Sequence, residues 1–83
     1  MTIIMAITIK DRGESVKHVQ TILSEYHSCI QTRLGLSNAL PDNPEGGLII
    51  LHLYCEKNCC DGELKERLEK INGVLVSIME LKV

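Results

Sequence analysis

The chain is 83 residues long, 45% hydrophobic and 24% charged, with a formal net charge of -2. That length holds one domain, and the composition is too apolar for a disordered chain. Lys and Arg are scattered along the sequence and Tyr26 and Tyr54 are its aromatics, so it has neither the basic stripe nor the stacking rings of an autonomous nucleic-acid binder.

Thr2 to Ile9 is rich in Ile and Thr and ends at the polar break "KDRGE", which reads as a strand. From Glu14 to His27 the period changes. Val16, Val19, Leu23 and Tyr26 recur at spacings of three and four, which sets them on one helical face, with Ser15 or Glu14 placed to cap or charge the first turn. Ile30 to Leu36 alternates, with Ile30, Thr32, Leu34 and Leu36 on one side and Gln31, Arg33 and Gly35 on the other, as in a half-buried strand. "SNALPDNPEGG" carries both prolines and reads as a loop.

Leu48 to Tyr54 is an almost continuous apolar run of strand length, as suits a central strand covered on both faces. Asp61 to Asn72 reads as a second helix, with Asp61 as N-cap, Leu64, Leu68 and Ile71 as its buried stripe, and Asn72-Gly73 as its stop. Glu63, Glu66 and Glu69 are expected on its solvent side with Lys65, Arg67 and Lys70. Val74 to Val83 is a strand that becomes charged toward its end.

The order β-α-β-β-α-β predicts an α+β, ferredoxin-like fold: a four-stranded antiparallel sheet with two helices on one face, in a single domain over residues 1–83. Right-handed crossovers make the first and third strands central. With Ile3, Met5, Ile7, Ile49, Leu51, Leu53, Val76 and Ile78 turned toward the helices, Ile4, Ala6, Leu48, Ile50, Leu75 and Met79 turn away. A second apolar face at the centre of the sheet predicts self-association through it. Gln31, Arg33, His52 and Tyr54 are expected along its polar side, where they order the interface or line a small ligand pocket.

The residues with most chemistry are Cys55, Cys59 and Cys60 in "HLYCEKNCC". Structural zinc sites supply C-x2-4-C pairs twice, whereas this spacing occurs once here, leaving Cys29 and His52 as the further candidates. The ligand pattern is incomplete and no metal or other cofactor is expected. A thiol near a helix N-terminus is nonetheless open to oxidation, so a metal- or redox-responsive sensor using Cys55, Cys59 and Cys60 stays as the alternative. His18 and His27 do not form an i, i+4 pair, and no nucleophile-base arrangement is indicated, so catalysis is not expected. The longest apolar run, Leu48 to Leu53, falls far short of the ~20 residues of a membrane span, and "MTIIMAITIKDR" lacks the basic start and cleavage site of a signal peptide; a cytoplasmic location is expected.

"IKDRGES" lacks the paired cysteines of heavy-metal chaperones, and the central strands lack the aromatics of RNA-recognition modules. Gly13, in the loop after the first strand, resembles the glycine of ACT-type amino-acid-sensing domains, which bind ligands at subunit interfaces near that loop. End to end, the sequence resembles the family of iron-only hydrogenase system regulators, which are stand-alone ferredoxin-like domains related in fold to ACT domains and to the regulatory domain of nickel-responsive repressors. The likeness runs through "DRGES", "ILSEYHSCIQTRLGL" and "LEKINGVLVSIMELKV", and is most specific at "ILSEY" leading into "RLGL" and at "INGVLVS". It implies a cytoplasmic homodimer or dimer of dimers with a regulatory role, responsive to a small-molecule effector, that needs a partner to act on transcription. The chain departs from the family at "CEKNCC", where members carry no cysteine-rich turn, so metal binding is not carried over.

Overall fold

The computed structural model describes residues 2–10, 13–37, 46–54 and 61–81. Its elements run β1 (Thr2–Ile9), α1 (Glu14–Glu25), β2 (Ile30–Ser37), β3 (Gly47–Tyr54), α2 (Asp61–Glu69) and β4 (Val74–Leu81). The strands form one antiparallel sheet in the order β2-β3-β1-β4, so the two most apolar strands are central, as the sequence predicts. This is the ferredoxin-like βαββαβ fold.

Alternation along β1 decides the layering. Ile3, Met5, Ile7 and Ile9 are buried, whereas the residues between them are half-buried. Their partners in register, among them Leu51, Leu53 and Val76, point the same way, because directly opposed residues share a face. Val19 and Leu23 of α1 and Leu64 and Leu68 of α2 close over this surface, so both helices cover the same side of the sheet. Each of these fully buried aliphatic side chains contributes about 1.5–3 kcal/mol relative to exposure. Ile78, expected among them, packs only partly against the core.

Both helices are shorter than their hydrophobic pattern. α1 ends at Glu25, and Tyr26 to Cys29 form turns closed by Cys29 N–H to Tyr26 C=O (2.9 Å) and Ile30 N–H to His27 C=O (3.3 Å). α2 ends at Glu69, and Ile71 packs on the core from the following turn. The Ser15 hydroxyl does not cap α1; it donates to the Asn72 carbonyl at 3.2 Å and ties the start of α1 to the chain leaving α2. Gly13 is the N-cap residue, with Glu14 as the acidic residue of the first turn. Among the described residues, no helix is long and apolar enough to cross a membrane.

β2 departs from simple alternation. Ile30 pairs with Leu53 and Thr32 with His52, so one extra residue, Gln31, enters the strand as a bulge. A one-residue insertion exchanges faces. Ile30 therefore packs on the core, while Thr32, Leu34 and Leu36 lie on the other side.

Candidate functional site on the open face of the sheet

Among the described residues nothing covers the side of the sheet opposite the helices, and the register lays it out in rows. Thr32, His52, Ile4 and Met79 form one row from β2 to β4. Leu34, Ile50, Ala6 and Ser77 form the next, then Leu36, Leu48, Thr8 and Leu75. Tyr54, Thr2 and Leu81 close the face at the other end. Leu75 is 69% exposed, Met79 56% and Leu34 51%. The remaining exposed large apolar side chains among the described residues, Leu36, Tyr54 and Leu81, stand on this same face. None of the side chains in these rows belongs to Asp, Glu, Lys or Arg.

Of the residues expected along its polar side, His52 and Tyr54 are there, the former half-buried and the latter exposed. Arg33 is not. The bulge pairs it with Leu51, whose side chain faces the helices, so Arg33 and His52 lie on opposite sides of the sheet. Gln31 is the bulged residue itself and has no partner in the register. The expectation that Gln31 and Arg33 lie with His52 and Tyr54 along this face is therefore corrected. In their place Thr32 stands beside His52.

Among the described residues the helix side of β2 is also uncovered, where Arg33 and Gly35 are exposed. Between α1 and β2 runs an open groove of about 260 Å³ lined by Ile9, Val16, Gln20, Gly35, Gly47 and Ile49, with Leu36 and Leu48 at its edge. Gly35 forms part of its floor, and a Cβ added there meets nothing within 4 Å. A second, wider recess of about 410 Å³ lies between the start of α1 and the end of α2, bordered by Glu14, Ser15, His18, Lys70, Ile71 and Asn72. Gly13 borders neither, but it opens the helix that lines both.

Of the cysteines, Cys29 is half-buried, and its carbonyl accepts the Tyr54 N–H at 2.9 Å. Cys55, Cys59 and Cys60 lie outside the described residues. Among the described residues no three His, Cys, Asp or Glu side chains come together to hold a metal ion.

A polar cluster that includes Glu63 and Arg67, expected on the solvent side of α2, links the two helices. The Tyr26 hydroxyl donates to Glu63 Oε1 at 2.8 Å, and Arg67 reaches both the Tyr26 hydroxyl oxygen (3.3 Å) and Glu25 (2.7 Å). The Arg67 guanidinium also lies 5.5 Å from the Tyr26 ring centroid. Sequence separations of 37 to 42 residues leave no local pattern by which to find these contacts. The Arg67 hydrogen bond pulls the Tyr26 phenol down, but the Glu63 hydrogen bond, desolvation and the Glu63 charge together outweigh it, so the phenol titrates above its ordinary value of 10.0. A folded-state value raised above the unfolded one stabilises the fold below pH 10 and loses that contribution as pH rises through the folded value. In a Tyr54→Phe background, tyrosinate absorbance is expected to show a midpoint above 10; Glu63→Gln should lower it and Arg67→Met should raise it further.

These features define a small domain of the ferredoxin-like βαββαβ fold with one apolar sheet face. An uncharacterized protein from Thermotoga maritima superimposes with a TM-score of 0.83 at 26% identity, over 98% of this chain and 96% of that one. An ACT domain protein from Streptococcus pneumoniae matches at 0.64 and 15% identity, over 95% of this chain and 88% of that one. A formyltetrahydrofolate deformylase from Pseudomonas putida matches at 0.65 and 15% identity over 98% of this chain, which spans only 29% of that enzyme. No family model and no curated protein matches the chain.

Proposed function

We propose that the chain is a stand-alone regulatory, ligand-sensing module that acts as a homo-oligomer, a homodimer or dimer of dimers, and has no catalytic role of its own. The observation that carries this reading is the groove between α1 and β2, floored by a glycine that the fold does not require. Glycine in a strand interior weakens the strand, and it often marks close approach by a ligand or another backbone. Support comes from the ACT domain protein that shares the fold over nearly its whole length. The sequence resemblance narrows the reading to a cytoplasmic iron-only hydrogenase system regulator that influences transcription through a partner protein.

Gly35→Val provides the test. The added side chain enters open space, so it is expected to leave stability unchanged or raise it by up to about 1 kcal/mol, through strand propensity. It also fills the groove. Thermal denaturation against the proteinogenic amino acids, one at a time, should show stabilisation by at least one of them, on the order of 2.7 kcal/mol at a hundredfold excess over Kd. That stabilisation should vanish in Gly35→Val. If no amino acid shifts the wild type, the effector is not an amino acid; a shift that survives in the variant places the site elsewhere.

A second reading, a metal- or redox-responsive sensor built on Cys55, Cys59 and Cys60, draws on the Cys29–Tyr54 backbone bond, since Tyr54 is the residue before Cys55. Elemental analysis of anaerobically purified protein decides it.

A further inference from the structure

We propose that the open sheet face is the contact surface for a second copy of this chain, packed sheet against sheet. The inference rests on the homo-oligomer in the reading above and names the surface that forms it. The exposed large apolar side chains of the described residues all stand on this one face, although the chain has two sheet sides, two open strand edges and two helix backs to distribute them over. Scattered leucines on a surface need no explanation, whereas a contiguous field of them does.

Charge identifies the occupant. The rows facing outward carry no carboxylate, ammonium or guanidinium group, so the face offers nothing to an acidic or basic partner. An apolar, uncharged face is compatible with its own copy, which a two-fold interface demands. The helix backs differ: Lys17–Glu14 and Lys70–Glu66 pairs keep them charged and wet.

Size agrees with this. Four strands at about 4.8 Å spacing, each of eight residues at about 3.4 Å, give a face of roughly 19 by 27 Å. Its projected area is roughly 500 Å² per copy, so two copies cover on the order of 1,000 Å² before side-chain relief is added, the level at which specific interfaces begin. The central residues Ile4, Ala6 and Ile50 are already half-covered by their neighbours, whereas Leu34, Leu75 and Met79 on the outer strands stand out. Two sheet faces pack aligned when the strands of the copies cross at the small angle set by sheet twist, with the outer-strand side chains supplying most of the newly buried area. Among the described residues no strand pairs with the outer edges of β2 and β4, and pairing through an edge would be a different assembly.

The test is the oligomeric state of the full chain by sedimentation velocity and light scattering across a dilution series. Wild type is expected to be dimeric or larger at micromolar concentration. Leu75→Glu replaces a side chain with little burial in the single chain, so the fold should persist by circular dichroism while the dissociation constant rises by roughly thirtyfold or more. Met79→Glu should act alike, which protects the result against failure of one variant. A wild type that stays monomeric overturns both this inference and the homo-oligomer. A wild-type oligomer that neither substitution weakens overturns the face alone and leaves the homo-oligomer standing on another surface.

Discussion

Leu51→Ala is expected to lower the unfolding free energy by about 2–5 kcal/mol, while Ile50→Ala, one residue earlier on the same strand, is expected to cost roughly half of that or less in the single chain. Leu51 is fully buried beneath the helices, opposite Met5 on β1, and its truncation leaves a cavity that α1 and α2 cannot both close. Ile50 points the other way, toward the open face, and is half-buried by its neighbours on the sheet. Against a total stability of about 5–15 kcal/mol, the first change removes a large share of the fold. In urea the Leu51→Ala midpoint should fall with the slope unchanged, the sign of lost stability without a change in the surface exposed on unfolding. If copies associate through the open face, as proposed, the Ile50 variant alone should flatten the dependence of the midpoint on protein concentration, because association stabilises the native chain by mass action. Equal losses at low concentration would mean that the two residues share an environment, contrary to the pleat.

That contrast was legible in the sequence wherever the period held. Along β1 and β3 both parities are apolar, but the odd-numbered set is bulky and aliphatic from Ile3 on while the even-numbered set includes Thr2, Ala6, Thr8 and His52. The assignment of Ile3, Met5, Ile7, Leu51 and Leu53 to the core follows from that parity. Parity failed on β2, where nothing about Gln31 announces a bulge. One inserted residue moved Arg33 to the helix side and brought Leu34 and Leu36 onto the open face. Half of the expected site was lost for that reason, and the apolar field grew by two leucines for the same one. The helix-to-helix cluster of Tyr26, Glu63 and Arg67 was illegible for a different reason. Its members are ordinary surface residues on their own helices, and they meet only because both helices lie on one side of the sheet.

The open face and the groove are two surfaces that share strand β2. Leu34 and Leu36 face the uncovered side of the sheet, while Gly35 between them floors the groove beside α1. A ligand seated against Gly35 and a second copy seated against Leu34 and Leu36 would thus act on opposite faces of one edge strand. Edge strands are held by a single neighbour, here β3, and are the part of a sheet most easily shifted. Coupling between effector binding and association then needs no longer path than the thickness of this strand. It would show as a ligand affinity that depends on protein concentration, with association strengthened or weakened by the same factor.

Gly73→Ala is the other substitution expected to be costly, by about 1–3 kcal/mol, and its effect is a matter of backbone and not of burial. Gly73 lies in the turn between α2 and β4 with φ of 83°, in the left-handed region that L side chains rarely adopt. Its carbonyl accepts the Lys10 N–H at 2.8 Å, which fastens this turn to the end of β1. A Cβ at position 73 would come within 3.2 Å of the Lys10 Cβ, so the substitution strains the dihedral and crowds the contact that the dihedral serves. Relief requires φ to change sign, and that turns the carbonyl away from Lys10. The register of β4 against β1 begins one residue later, at Val74 opposite Ile9, both buried, so a displaced turn disturbs the edge of the core directly. Gly35→Ala on β2 is the matched control: its Cβ meets open space, and glycine removal there should be neutral or mildly stabilising. Thermal or urea denaturation of the two variants side by side tests the point. A Gly73→Ala loss no larger than that of Gly35→Ala would show that the turn accommodates a side chain and that its left-handed geometry is not what holds β4 in place.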